Sequence, residues 1–288
     1  ALIALRVALV SALAGVLYIA LRRTGSGRAA AVALAATALL GARPRFLLRP
    51  ELFTFLALAT ELLLLRRLET APGDRRARLG LVALTVVWTN LHGLALLAPV
   101  LAGGYLLGVA LAPPSGAAPG GGADRWRQAV LLPAALATAM LLNPYGARVF
   151  AVTTGITGAL SELSAINPEW LPVWRAPQPM IFAMLFAGFA ALAALVAETA
   201  ARTRRVHLPT GIVAAGLAAL ALTAVRHQAL SFVTGAFFAA ETLALRRSAR
   251  ESTATTGQRM QAAAGPVAVS CACLLLAAWC LHPPASGP

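Results

Sequence analysis

The feature that most constrains this chain is a succession of apolar stretches, each near the ~20 residues that an α-helix needs to cross ~30 Å of hydrocarbon. Residues 1–21 hold one ionised side chain, Arg6, and residues 179–198 hold one, Glu198. Ten such segments are predicted, at 1–21, 29–42, 51–65, 79–90, 94–112, 129–142, 179–198, 208–225, 229–245 and 265–282. Charged residues form 12% of the 288 positions, against roughly 25% in soluble domains, which excludes an ordinary soluble fold. The expected fold class is all-α: a polytopic transmembrane helical bundle of about ten membrane segments, some short or broken, forming a single domain over 1–288. Ala1 falls inside an apolar run, so the chain reads as a fragment whose N-terminal part is missing.

The formal net charge is +14, and every basic residue is arginine. In a soluble protein that balance points to nucleic acid. Here the arginines sit in short connectors between apolar segments, where they set orientation, so no nucleic-acid partner is expected. The absence of Lys and the abundance of Ala match a GC-rich bacterial source, and the expected compartment is the bacterial inner membrane.

Residues 79–112 decide the topology. They make ~51 Å of helix, too long for one comfortable crossing, and Asn90-Leu91-His92-Gly93 interrupts them. With two crossings, one side collects 17 arginines and the other 6, namely Arg43, Arg45, Arg49, Arg148, Arg175 and Arg226. With one crossing the count is 11 against 12, with no bias at all. The positive-inside rule selects two. Connectors 113–128 and 246–264 are then cytoplasmic, and 143–178 is extracytoplasmic together with 43–50, 90–93 and 226–228.

Almost all the chemically distinctive side chains fall in those outer segments. Arg43, Arg45, Arg49 and Glu51 flank Pro44 and Pro50, and charge of this density is costly at membrane depth. The planar fork of Arg bonds two phosphate oxygens at once, which suits a lipid phosphate. Snorkelling to headgroups is the alternative. Asn90 and His92 sit at a helix break of the kind tolerated where it lines a cavity or is buried; bonding to neighbouring helices is the other reading. Asn143 and Tyr145 belong to an Asn-Pro-Tyr-Gly turn. Glu169 and Trp170 lie in the long outer connector, and Arg226 and His227 form a tight polar turn. Glu61 and Glu241 are expected to pair with Arg66 and Arg246 near the cytoplasmic ends. Cys271, Cys273 and Cys280 read as small buried hydrophobes, and neither a metal nor a cofactor is expected.

Five motifs recur in order. Arg49-Pro50-Glu51-Leu52-Phe53-Thr54-Phe55 resembles the RPQLF(S/T)F signature of a large bacterial family of polytopic proteins. Trp88 to Gly93 resembles its WANLHGG, Leu142 to Gly146 its LNPYG, Glu169-Trp170 its EW before prolines, and Arg226-His227 its R(H/N). That family is similar to the GT-C-type membrane glycosyltransferases. The resemblance implies a donor sugar carried on polyprenyl phosphate, used on the extracytoplasmic face, with a catalytic carboxylate in a first outer loop that should precede residue 1. It makes membrane lipid and a lipid-linked sugar phosphate the expected partners, with the twelve residues from Arg43 to His227 named above as substrate-binding. A transporter or lipid flippase, or a non-catalytic membrane scaffold, remains the alternative.

Overall fold

The computed structural model describes residues 2–47, 49–112, 122–151, 155, 159–175, 177 and 179–253. Ten α-helices are described: α1 (Leu2–Arg23), α2 (Arg28–Ala42), α3 (Glu51–Thr70), α4 (Arg75–Leu91), α5 (Leu97–Leu111), α6 (Gly122–Ala139), α7 (Leu160–Ile166), α8 (Pro179–Thr203), α9 (Leu208–Thr223) and α10 (Gln228–Thr253). Short 3-10 turns join several of them, and the described residues contain no strand. Among the described residues, four helical stretches are long and apolar enough to cross a membrane: Leu2–Arg23, Gly93–Leu111, Phe182–Thr203 and Val225–Glu251. The predicted segment 265–282 with its three cysteines lies outside the described residues, as do 113–121 and 254–264.

The helices overrun the predicted apolar segments mostly where arginines begin. α3 continues to Thr70, α8 to Thr203 and α10 to Thr253, while α4 starts at Arg75 and α6 at Gly122. Arginine is a good helix former, so charge ends the hydrocarbon without ending the helix. Asp74 stops the overrun between α3 and α4. Its carboxylate accepts from the backbone N–H of Arg76 (2.8 Å) and Ala77 (3.1 Å), capping α4. The short α7 was not expected in the long connector. Its apolar positions are too few to show a period.

The chain forms two compact units. Unit 1 comprises residues 1–20, 45–167 and 208–216. Within it, Thr54 meets His92, and a Cβ at Gly80 would lie 3.3 Å from Leu64, so α4 runs back along α3. Tyr105 then reaches Glu69, so α5 reverses again. The interruption at 92–96 is therefore a true chain reversal, and 79–112 passes twice along this unit. α9 begins beside the far end of α5: a Cβ on Gly108 would lie 2.5 Å from the Cα of Pro209, an approach that only glycine permits. One end of unit 1 carries Arg66, Arg67, Arg75, Arg76 and Arg78. The opposite end carries 45–50, 92–96 and 140–146.

Among the described residues, unit 2 comprises those of 21–44, 168–207 and 217–253. Gly41 lies against the ring of Phe232, and Arg247 donates to the Gly25 carbonyl, so α2 and α10 are antiparallel. α8 runs alongside α10, with Gly188 near Phe232 and Glu198 paired with Arg246 in two hydrogen bonds of 2.7 and 2.8 Å. Gly25, at φ +93°, turns the chain from α1 into α2. Here too one end gathers the arginines of 22–28, 202–205 and 246–250. The other end holds Arg43, Arg175 and Arg226.

Candidate functional site

In unit 1 the Arg-poor end is built on α3. Pro50 stands immediately before its first residue, Glu51, where a carboxylate favours the helix dipole. Glu51 accepts from Arg45 through Nε at 3.1 Å and through the second guanidinium nitrogen, and both side chains are buried. Arg45 therefore fixes the turn that carries Arg49, which is exposed. One helical turn further in, the Thr54 hydroxyl accepts from Trp88 Nε1 (2.9 Å) and contacts His92 Nδ1 (2.7 Å). His92 has extended backbone, φ −156°, and caps α4 through its N–H to the Trp88 carbonyl at 2.9 Å.

Asn90 ties this end together. Its amide donates to the Leu142 carbonyl (2.9 Å) across a separation of 52 residues, and to Val86 (2.8 Å). Asn143 instead closes its own turn, donating to the carbonyls of Met140 (2.5 Å) and Gly146 (3.2 Å) and accepting from the Tyr145 N–H (2.7 Å). Tyr145 itself is 72% exposed.

Unit 2 assembles its own cluster. The Val225 N–H donates to the Leu171 carbonyl at 3.0 Å, which sets the turn after α9 against the 3-10 turn Pro168–Trp170. Arg226 thereby lies 4.0 Å from the centre of the Trp170 ring, a cation–π arrangement. The buried His227 meets the same ring at 6.4 Å and 90°, with Nδ1 at 3.3 Å from the Leu220 carbonyl. A carbonyl only accepts, so Nδ1 carries a proton. Glu169 is half-buried beside Trp170 in sequence.

The sequence put these residues in one substrate-binding set without pairing them; the structure pairs Arg45 with Glu51, and sets Arg226 and His227 against Trp170. The sequence reading missed Thr54 as the link between Trp88 and His92. The signal was present: Thr54 lies three residues after Glu51, on the same helix face. Two expected ion pairs are corrected. Arg66 pairs with Glu69 at 3.1 Å, not with Glu61, and Arg246 pairs with Glu198, not with Glu241. Glu241 lies 3.9 Å from His207. Sequence neighbours lost to partners on the same face one turn closer, or on another helix. Among the described residues no group of His, Cys, Asp and Glu could hold a metal ion. Comparison with family models, curated proteins and solved structures gives no match for this chain.

Proposed function

We propose that the chain is a multi-pass inner-membrane protein of about ten segments with its Arg-rich ends in the cytoplasm. Its extracytoplasmic end receives a lipid-linked sugar phosphate, as in the GT-C-like glycosyltransferases that its motifs resemble. One observation carries the reading. Segments 45–54 and 88–92, far apart in sequence, are joined by buried and half-buried hydrogen bonds, and an exposed one ties Asn90 to residue 142, all at a single end of unit 1. Sugar transfer from a phosphate carrier requires cations at the departing phosphate. Arg49 is exposed on the turn that the Arg45–Glu51 pair holds in place, and its fork suits that task. Arg45 acts as a positioning residue, because its own guanidinium is committed to Glu51.

Two experiments test this in the longest natural form of the protein. Cysteines at position 175 should react with an impermeant thiol reagent from outside, and cysteines at 204 and 250 should not; the reverse pattern inverts the topology. For the site, Arg49→Lys should lose nearly as much polyprenyl-phosphate binding as Arg49→Ala, because an ammonium lacks the fork. Full retention by Lys removes the phosphate site and leaves headgroup anchoring. Movement of the lipid across the bilayer without sugar transfer would favour a flippase instead.

A further inference from the structure

The buried stripe of α3 is a series of polar side chains at helical spacing: Glu51, Thr54, Glu61 and Glu69, separated by Leu58 and Leu65. Three of the four are satisfied. Glu51 pairs with Arg45, Thr54 with Trp88 and His92, and Glu69 with the Tyr105 hydroxyl (2.6 Å) and Arg66 (3.1 Å). Glu61 is 1% exposed, and neither of its oxygens has a hydrogen-bond partner.

Among the described residues, α4 and α5, the helices with the most extensive packing on α3, supply no counter-charge at that level. The ionisable groups of α4 are Arg75, Arg76 and Arg78, in its first turn, and α5 offers only Tyr105, which serves Glu69. His92 is engaged at Thr54, ~10 Å away along the helix; in the other direction Arg66 stands ~7.5 Å further along the axis and is paired with Glu69, at ~12 Å. A bare carboxylate so placed loses its hydration and gains nothing in return.

We propose that Glu61 is an intramembrane proton-binding site: a carboxylic acid that keeps its proton between α3, α4 and α5 at the middle of unit 1. The proposal rests on unit 1 lying in the membrane but not on the glycosyltransferase reading. Loss of the proton would leave an unscreened charge in that packing. Deprotonation and opening of the packing to water are therefore one event, and the proton is bound or released together with a change of shape.

A hydrophobic carbodiimide tests this. A protonated carboxyl adds across one C=N bond of the reagent, with the carboxyl oxygen going to the central carbon and the proton to nitrogen. Transfer of the acyl group from oxygen to the other nitrogen leaves a stable acylurea, heavier by one intact reagent. Membranes holding the protein are treated with dicyclohexylcarbodiimide or with a water-soluble carbodiimide, and the adduct is located by peptide mass spectrometry. The expected result is an adduct on Glu61 with the hydrophobic reagent, at least tenfold above that with the soluble one. Glu61→Gln abolishes it, and Glu51→Gln and Glu69→Gln preserve it. Peptide mapping of the unsubstituted protein decides the matter even if Glu61→Gln folds poorly. An unmodified Glu61 in a protein that resists alkaline extraction from membranes overturns the proposal, as does equal modification by both reagents. Extraction by alkali would instead refute the membrane reading, independently of Glu61.

Discussion

The Arg-poor ends of the two units use the same three residue types, Arg, His and Trp, in opposite ways. In unit 1 they are bound by directional contacts: Trp88 and His92 share one hydroxyl, and Arg45 is locked to a buried carboxylate. In unit 2 a half-buried guanidinium rests on the face of Trp170, with His227 against its edge. A hydrogen-bonded ion pair fixes both angle and distance, whereas an aromatic ring offers a cation its whole face. The first end is a frame of buried hydrogen bonds. The second is built around an aromatic surface.

The largest expected effect tests that frame. Arg45→Ala takes a buried guanidinium from the buried Glu51 carboxylate and should cost about 3–5 kcal/mol of stability in detergent unfolding. Replacing both residues by Met should recover most of that. If Arg45→Ala proves no worse than Arg226→Met, the distinction between frame and surface is lost.

Close packing sharpens the contrast next. Alanine at Gly108 meets backbone of Pro209, while alanine at Gly41 meets the Phe232 ring. Both should destabilise by about 1–3 kcal/mol, as overpacking does. A second change, Phe232→Ala, should rescue Gly41→Ala in thermal unfolding. Side-chain trimming at Pro209 should not rescue Gly108→Ala, because the obstruction there is main chain.

A smaller effect is expected in unit 2. Removing the charge from the Trp170 ring by Arg226→Met should cost about 0.5–1 kcal/mol, and Trp170→Phe less still. A double-mutant cycle reports the coupling directly. The smallest effect is a pH dependence in unit 1. Hydrogen bonding from the Ala77 N–H, helped by Arg67, holds the Asp74 carboxyl below its usual range. Its folded-state pKa lies below the unfolded value of about 3.9, so its stabilisation is complete above that value. The contribution disappears as pH falls through the folded pKa. Asp74→Asn retains a capping side chain and should flatten the acid limb of the stability profile.

Much of this was legible in the sequence, for reasons that differ between residues. Apolar runs located most helices, and the arginine count identified the reversal at 92–96 that Thr54, His92, Glu69 and Tyr105 now define. Helix ends were misplaced because hydropathy senses hydrocarbon and not backbone hydrogen bonding. The partners of Glu61 and Glu241 were misassigned because nearness in sequence was taken for nearness in space. Thr54 went unnoticed as a single hydroxyl in an apolar run, and its importance comes from Trp88 and His92, more than thirty residues away. The cation–π contact of Arg226 needed the Leu171–Val225 hydrogen bond, for which no local pattern exists.

The unequal helix lengths carry a mechanical consequence. α2 and α9, with 15 and 16 residues, measure only ~22 and ~24 Å, whereas α10, with 26, measures ~39 Å. On the multi-pass topology proposed above, helices this short would fall short of both surfaces of hydrocarbon ~30 Å thick, and the long one would tilt or protrude. A bilayer meeting such mismatch thins around the short members at a modest cost per ångström. The leaflets would then dimple beside α2, whose end carries Arg43, and a lipid headgroup there would sink toward the guanidinium.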